Sequence, residues 1–515
     1  MMFGKKLYGS HNNIFTMILV FLMVAASGAL TISILTHGHD WGGDFAQYIM
    51  QADSIVNRSI GEFMQANRFA MEESSYAVGP VAYPWGLPLY LAPFYAFWGN
   101  NLLALKIATA ALYLPFLLFL WFGFRTDHNR PWRFVLLLLF AVNPDMLTFM
   151  NAIFADIPFL LFSTAAILLL RFLFIDKKQL LHPVIDGALL GIIIAVASFI
   201  RNNGILLLFT LAAIHMIQFV IKKRSQKRHK QTKVQIPSRP LDIAPYIAFG
   251  ILLFTWRMIF PEGGGSHIDL LREISPALIY GNLQYYFRLP AEFFMGTGRQ
   301  AAFMIYIVSL PLAGWGILRR FRRDYPLVIY CILTLTLYVV WPSRQGLRFL
   351  FPVLPFYISF MLTGLAALPE LMHSSTSRKA AKGLCIIPIV LIILIMTWQS
   401  FLTARFNLKH HRLPPPGPYS PDAQDLFSHI RMSGTMFQEG DTIIFFKPRV
   451  MRLMTGRSSI LINEPENLPE GDFLCVHPAP DPDQILPEAL IRMVEKGMLR
   501  LIYQNNTFSL YEICK

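Results

Sequence analysis

Hydrophobic positions in this chain gather in runs of roughly 17–25 residues separated by short polar gaps, the length that carries a helix across a bilayer core. A backbone in hydrocarbon must bond its own N–H and C=O groups, and a helix does so within one segment, so the runs predict a membrane-spanning bundle. The first is 14–35. Others fall at 102–124, 134–150, 157–173, 184–200, 204–222, 243–260, 301–318, 325–341, 349–368 and 383–402. The length criterion therefore predicts about eleven crossings. Between the first two runs lies a long, weakly polar segment, 37–100, with a helical pattern over 45–56. A second apolar stretch there, 85–98, is interrupted by Pro88 and Pro93 and is expected to lie in the outer interface or dip into it.

The pattern changes after residue 402. Leu413-Pro-Pro-Pro-Gly-Pro418 has the composition of a linker. Beyond it, short alternating runs predict strands at 442–446, 460–462, 473–476, 499–503 and 508–513, with helices at 423–431 and 486–496. The expected architecture is an all-α polytopic membrane bundle over 1–402, a linker over 403–418 and a small α/β domain over 419–515. No internal repeat is visible, which disfavours transporter folds built from inverted repeats.

Composition agrees: 54% of the 515 residues are hydrophobic, and the mean hydropathy is +0.46. The net charge of +14 would suit a nucleic-acid binder, but its distribution argues against one. Lys5, Lys6, Arg125, Arg130, Arg133, Lys177, Lys178, the run 222–239, Arg319, Arg320, Arg322, Arg323, Lys379 and Lys382 occupy every second gap. That is the positive-inside pattern, beside anionic lipid, and Lys106 is its one exception. It places the N-terminus in the cytoplasm and, after an odd number of crossings, residues 403–515 outside; the compact loops, together with the resemblance given below, favour a bacterial inner membrane. Ala25, Ala26 and Ala29 imitate a signal-peptidase site, but the first run is longer than a signal core and reads as a retained anchor. Of the four cysteines, Cys331 and Cys385 lie in apolar runs as packing thiols, while Cys475 and Cys514 fall at strands on the oxidising side. Spacing leaves a disulfide between the latter two open.

This topology gathers the unusual polar residues at one leaflet. Asp40, Asp44, Asp145, Asp156, Arg201, Arg257, Arg344 and Arg348 all fall at or near outer ends of spans, where ionisable groups face a cavity or one another. Arginine rather than lysine dominates there, and a planar guanidinium suits bidentate binding of phosphate.

At this point the chain resembles the GT-C superfamily of membrane glycosyltransferases. His39-Asp-Trp-Gly-Gly-Asp-Phe-Ala-Gln-Tyr48 is similar to the acidic first-loop motif of that superfamily, and Tyr83-Pro-Trp-Gly-Leu-Pro88 with Phe97-Trp-Gly99 to the segment that follows it. Asn143-Pro-Asp145, Asp156-Ile-Pro158, Arg201-Asn-Asn-Gly204 and Arg344-Gln-Gly-Leu-Arg348 with Pro352 and Pro355 recur in the same order. Lys447-Pro-Arg449 and Thr455-Gly-Arg457 resemble part of the outer domain of bacterial members. The protein O-mannosyltransferase-like and lipid A aminoarabinose transferase-like branches are the most similar. One departure is that Asp44 stands between Gly43 and Phe45, where protein mannosyltransferases have paired acids.

The resemblance implies transfer of a sugar from a polyprenyl-phosphate donor, on the non-cytoplasmic face and with inversion, to a lipid, glycan or protein acceptor. It makes Asp44 and Asp156 the catalytic acids and Arg201, Arg344 and Arg348 holders of the donor phosphate. His267 and Arg288 belong to a loop, 261–300, expected to close over the substrate. No cofactor is required. A divalent cation is left open by His39, His267, Glu72 and Glu73, whose spacing is irregular for coordination. Plainer readings stand beside these. Asp44-Phe-Ala-Gln47 fits a capping box, Asp156 before Pro158 fits a helix cap, Asp145 a solvated helix end, and Arg201 and Arg348 snorkelling side chains. Trp41, Trp85, Tyr90 and Trp98 read as interface anchors. A carrier or flippase for a lipid-linked sugar is the alternative function, and it would need ionisable residues along the whole crossing.

Overall fold

The computed structural model describes residues 3–76, 78–228, 240–263, 274–372, 374–412, 417–434, 436–438, 440–477 and 481–514. Among them, nine helices are long and apolar enough to cross a membrane: Ile14–Ile34, Leu102–Gly123, Asp156–Ile175, Pro183–Ile200, Asn202–Arg224, Pro240–Ile259, Arg299–Val340, Leu354–Leu371 and Gly383–Lys409. They differ in position within the bundle. Asp156–Ile175 is 83% buried and forms its centre, whereas Pro240–Ile259 is 17% buried and lies at the rim. Rim helices turn Phe15, Phe21, Ile251, Phe254, Met258 and Leu394 outward, an apolar belt that water would not tolerate and hydrocarbon solvates.

Three of the expected runs are built differently. The run 134–150 is broken into Arg130–Ala141 and Pro144–Phe149, each too short to cross alone. Asn143 causes the break. Its carboxamide oxygen accepts from the N–H groups of Asp145 and Met146 at 3.0 Å each, while its Nδ2 donates to the Phe293 carbonyl at 2.8 Å. With Pro144 behind it, this restarts the helix as a cap followed by proline at the first position.

The runs 301–318 and 325–341 are joined in one hydrogen-bonded helix, Arg299–Val340, which nonetheless folds back on itself. Tyr306 packs on Tyr357 at 6.4 Å and Tyr330 on the adjacent Phe356 at 6.1 Å. In a straight helix, at ~1.5 Å per residue, the two tyrosines would be about 36 Å apart. The first arm can lie close to Leu354–Ala367 because a Cβ on Gly316 would meet the Phe360 carbonyl oxygen at 2.0 Å and one on Gly364 that of Leu312 at 1.9 Å. Only glycine fits at that crossing.

Ion pairs pin the bend. Asp127 pairs with Arg171 at 2.6 Å and accepts from Arg323 at 2.9 Å and from Arg320. Arg171 also reaches Asp324 at 2.9 Å, and Arg323 reaches Asp176 at 2.7 Å. The two runs are thus folded around one buried charge network at their junction.

The C-terminal domain forms as its periodicity predicts. β1 (Thr442–Ile444), β2 (Ser458–Ile460), β3 (Phe473–Val476), β4 (Leu499–Gln504) and β5 (Ser509–Ile513) make one sheet in the order β2-β1-β3-β5-β4. β1 pairs parallel with β2 and β3, while β5 pairs antiparallel with β3 and β4. Helices Pro421–Met432 and Pro487–Glu495 match the expected ones, and a third, Pro448–Thr455, lacks a sequence signal. Cys475 and Cys514 are both free thiols, the first buried and the second exposed. The register explains why: Cys475 faces Leu510, four residues before Cys514, or about 13 Å along a strand, beyond disulfide reach.

Trp41 and Trp85 are not interface anchors. Trp41 docks the first loop into the C-terminal domain, among Phe427, Phe445, Phe446 and Phe508 with ring centroids at 5.1–6.5 Å. Trp85 is 3% exposed, stacked on Phe260 at 5.3 Å, with its N–H donated to the Pro261 carbonyl at 3.0 Å. Trp98, at the end of Gly86–Trp98, is exposed as expected.

Removing Asp127 takes the shared counter-charge from buried Arg171 and half-buried Arg320 and Arg323, and losing one member of a buried charge network costs about 3–5 kcal/mol. Asp127→Ala is therefore expected to lower the thermal midpoint of the detergent-solubilised protein sharply, while Glu370→Ala, whose partner Arg319 is exposed, leaves it near wild type. Equal midpoints for the two variants would contradict the pinning of the bend.

Candidate functional site

The loop leaving the first span is held from below by a lysine. Lys106 is fully buried, and its ammonium donates to the carbonyls of Thr36 (3.1 Å) and Gly38 and to Asn151 Oδ1 at 2.9 Å. Past this anchor, His39 stacks on Phe45 at 4.0 Å and bonds the Asp40 carboxylate at 2.7 Å. That bond outweighs burial and holds Asp40 below the usual carboxylate range, but its side chain is 69% exposed and turned away from the other acids.

Asp44 lies in the first turn of helix Gly43–Val56 and does not cap it. The N-cap is Gly42, with no side-chain bond, and Gln47 donates to the Val81 carbonyl at 2.8 Å. The capping-box reading therefore fails, and the carboxylate is spent elsewhere. Its Oδ1 accepts from the Tyr83 hydroxyl at 2.6 Å and its Oδ2 from Arg348 Nη1 at 3.3 Å. Asp156 likewise opens helix Asp156–Leu170 without capping it, and pairs with Arg201 just past the end of Pro183–Ile200. That carboxylate is 4% exposed, against 30% for Asp44. One acid is thus sealed by its cation and the other is open on one side.

Aromatic rings position the arginines. Arg348 lies over Phe154 at 4.7 Å and Arg201 over Phe349 at 5.2 Å. Phe349 stacks on Tyr338 at 4.6 Å, Tyr338 on Tyr286 at 5.9 Å, and Tyr286 meets Tyr285 edge-on at 5.1 Å. Arg344 lies over Tyr285 at 5.1 Å and donates to Asn282 at 2.9 Å. It therefore stands at the far end of an aromatic row whose near end carries Arg201. Tyr48 packs against Tyr83 with tilted rings at 5.0 Å. Burial first, then the charge of Asp44, pushes the Tyr48 phenol well above its usual value and that of Tyr83 up to about 12. Both stay protonated and able to donate at neutral pH.

The structure brings Asp44, Asp156, Arg201 and Arg348 together, with Arg344 one aromatic row away. Arg288 is exposed at the end of Pro276–Arg288 and touches none of them; His267 lies outside the described residues. Arg257 pairs with Glu262 on the surface, and Asp145 stands near Glu292. Among the described residues no three His, Cys, Asp or Glu side chains converge as a metal site. His39 is taken up by Asp40, and Glu72 and Glu73 are exposed at a helix end.

Sequence reasoning passed over Tyr83 and Arg449 as site residues, although both stood in its motifs. Arg449 comes from helix Pro448–Thr455 of the C-terminal domain, is 8% exposed, and donates to the Tyr83 oxygen at 3.2 Å and the Pro80 carbonyl at 2.7 Å. Beside the other charged groups, it makes a cluster of two carboxylates (Asp44, Asp156) and three guanidiniums (Arg201, Arg348, Arg449), with Arg344 at the far end of the aromatic row, a surplus of positive charge suited to an anion. A pocket of about 1010 Å³ opens at the other end of the bundle, beside Arg319, Arg320 and Arg323, but its arginines are already matched by Glu370, Asp127 and Asp176.

No family model matches the sequence, and no curated protein matches it. Solved structures do. ArnT from Cupriavidus metallidurans, in the apo state, superposes with a TM-score of 0.59 at 10% identity, over 96% of this chain and 97% of that one. The same protein bound to undecaprenyl phosphate gives 0.58, again at 10% identity and over 96% and 97% of the two chains. The archaeal oligosaccharyltransferase AglB from Archaeoglobus fulgidus, in complex with an inhibitory peptide and a dolichol-phosphate, gives 0.53 at 11% identity over 90% and 70%. At these identities the likeness is one of fold: over nearly its whole length the chain has the fold shared by ArnT and AglB.

Proposed function

We propose that this protein is a membrane glycosyltransferase that moves a sugar from a polyprenyl-phosphate donor to an acceptor nucleophile on the non-cytoplasmic face, with inversion at the anomeric carbon. The observation that carries the reading is Asp44: a carboxylate that caps nothing, is open on one side, and is held between a phenol and a guanidinium. Structures that share the fold contain undecaprenyl phosphate and dolichol-phosphate, the class of lipid that the surplus arginines suit. The N-terminus is cytoplasmic and the C-terminal domain periplasmic, in a bacterial inner membrane.

In this mechanism Asp44 takes the proton from an acceptor hydroxyl as its oxygen attacks the anomeric carbon. The bond from that carbon to the phosphate oxygen breaks on the opposite face, and polyprenyl phosphate leaves with the electron pair. Arg348 and Arg201 meet the negative charge that develops on the leaving group, where a fixed guanidinium stabilises the transition state without reorganising. Arg344, along the aromatic row, extends that reach. Asp156, sealed against Arg201, holds that guanidinium in place and does not reach the sugar, so the catalytic role expected of it becomes a positioning one. A carrier would need charges along its whole path, whereas the acids and arginines at the opposite end are consumed in the network around Asp127.

Membranes containing the wild type are expected to transfer radiolabel from a polyprenyl-phosphate sugar into lipid, glycan or protein. Asp44→Asn, at equal expression, should reduce that transfer by about 10²–10⁴-fold, the range of general base catalysis. Full activity in Asp44→Asn would remove it as the base. Arg348→Gln is expected to raise the donor KM as well as lower kcat, having lost a phosphate contact.

The pair at the helix ends makes a separate, structural prediction. Arg201→Gln strands a carboxylate that is 4% exposed, at a cost of about 3–5 kcal/mol, whereas Asp156→Asn with Arg201→Gln leaves no unmatched charge. The double variant should thus melt above the single Arg201→Gln protein. The reverse order would mean that water reaches Asp156 freely.

A further inference from the structure

Arg449 belongs to the C-terminal domain yet ends inside the membrane domain's loop. A slot is prepared for it there. Gly79 has φ +117°, and a Cβ at that position would stand 2.5 Å from Arg449 Nη2. Its methylenes pass Gly43, next to Asp44, where a Cβ would be in ordinary contact with Arg449 Cδ at 3.6 Å. The guanidinium lies over the Tyr83 ring at 5.3 Å and donates to the Tyr83 oxygen and the Pro80 carbonyl.

The direction of these bonds follows from which groups can accept. A guanidinium carries donors only. The Tyr83 oxygen must therefore accept from Arg449, and the phenol's single proton is left to point at Asp44, 2.6 Å away. The other carboxylate oxygen faces Arg348, which also only donates. Asp44 is thus held as an acceptor on both sides, the state a general base must start from. An oxygen that accepts from a cation also donates more strongly through its own O–H.

Joining the two domains does not need this bond. Trp41 sits in its nest of phenylalanines, and Arg452, one turn along from Arg449, is clasped by Asn67 at 2.5 Å and lies over Phe63 at 5.5 Å. Of the two arginines, Arg449 alone reaches the phenol that holds the acid. We propose that Arg449 is a positioning residue of the transfer site that acts on Asp44 through Tyr83, so that the C-terminal domain completes the site rather than merely covering it. This rests on the transferase reading above and deepens it.

A double-variant cycle in the full-length chain, assayed in membranes with polyprenyl-phosphate sugars, tests the proposal. Arg449→Gln and Tyr83→Phe are each expected to lower kcat by roughly 10–100-fold with donor KM nearly unchanged, the pattern of an interaction felt in the transition state. Combined, they should lose no more than Tyr83→Phe alone, because the path through the phenol is already cut. Arg449→Lys, still a donor, should recover most of the activity, and Arg457→Gln, on the domain surface, should behave as wild type. Losses that multiply in the double variant, or a raised donor KM with unchanged kcat, would overturn the proposal. If limited proteolysis shows that Arg449→Gln unseats the domain, Tyr83→Phe decides alone, since it removes one oxygen from the loop: full activity there sinks the idea. An active wild type silenced by Asp44→Asn but indifferent to Tyr83→Phe overturns this inference only. A wild type inert with every donor overturns the transferase reading and this inference with it.

Discussion

Asp156 and Arg201 meet where the central helix begins and a neighbouring span ends, and that nearly sealed pair decides where everything else in the site can stand. A charge inside a lipid-embedded bundle is tolerated only with a partner, since the hydrocarbon offers none. Arg201 cannot leave the carboxylate, so its flat face is fixed over Phe349, and Phe349 in turn sets Tyr338 and the aromatic row to Arg344. Asp44 differs in one respect that matters. Its partner Arg348 stands farther off, at 3.3 Å, and its carboxylate keeps an open side. The bundle thus contains one acid whose charge is used to build and one whose charge is left available. The same rule acts at the other end, where Asp127 and its arginines are used up in holding a bend.

How much of this could be read from residues alone depends on the range of the interaction. Span positions follow from length and hydropathy, which are local, and they emerged close to expectation even where one hydrogen-bonded helix joins two of them. The five strands also followed from local alternation. The break at Asn143 was invisible because it needs the Phe293 carbonyl, 150 residues away, to hold the carboxamide. Trp41 misled for a similar reason: a tryptophan beside a span suits an interface as well as a nest of phenylalanines from another domain, and sequence does not say which is present.

The site shows the same division. Asp44, Asp156, Arg201 and Arg348 were nameable because a charged residue at the outer end of an apolar run is costly and therefore informative. Their pairing was not, because the capping-box pattern at Asp44 is equally good on paper; only the position of Tyr83 shows that the carboxylate is turned away from the helix end. Arg449 carried no such signal. An arginine in a soluble domain is ordinary, and it becomes informative only once the domain is docked and Gly79 is seen to leave it space.

Lys106 connects these levels. It was the one lysine that broke the positive-inside pattern, and the reason lies in its surroundings: a fully buried ammonium that touches only neutral oxygens. Thr36 and Gly38 belong to the loop that leads to Asp44; Asn151 belongs to the one that leads through Phe154 to Asp156. One cation therefore ties the two acid-bearing loops to the same point. A neutral side chain of that length would take this donor away from the Thr36 and Gly38 carbonyls and from Asn151 Oδ1, and a carboxylate there would be repelled by them, so the charge serves geometry rather than topology. The distance between the acid that holds and the acid that is free is thus set from beneath by a residue that touches neither.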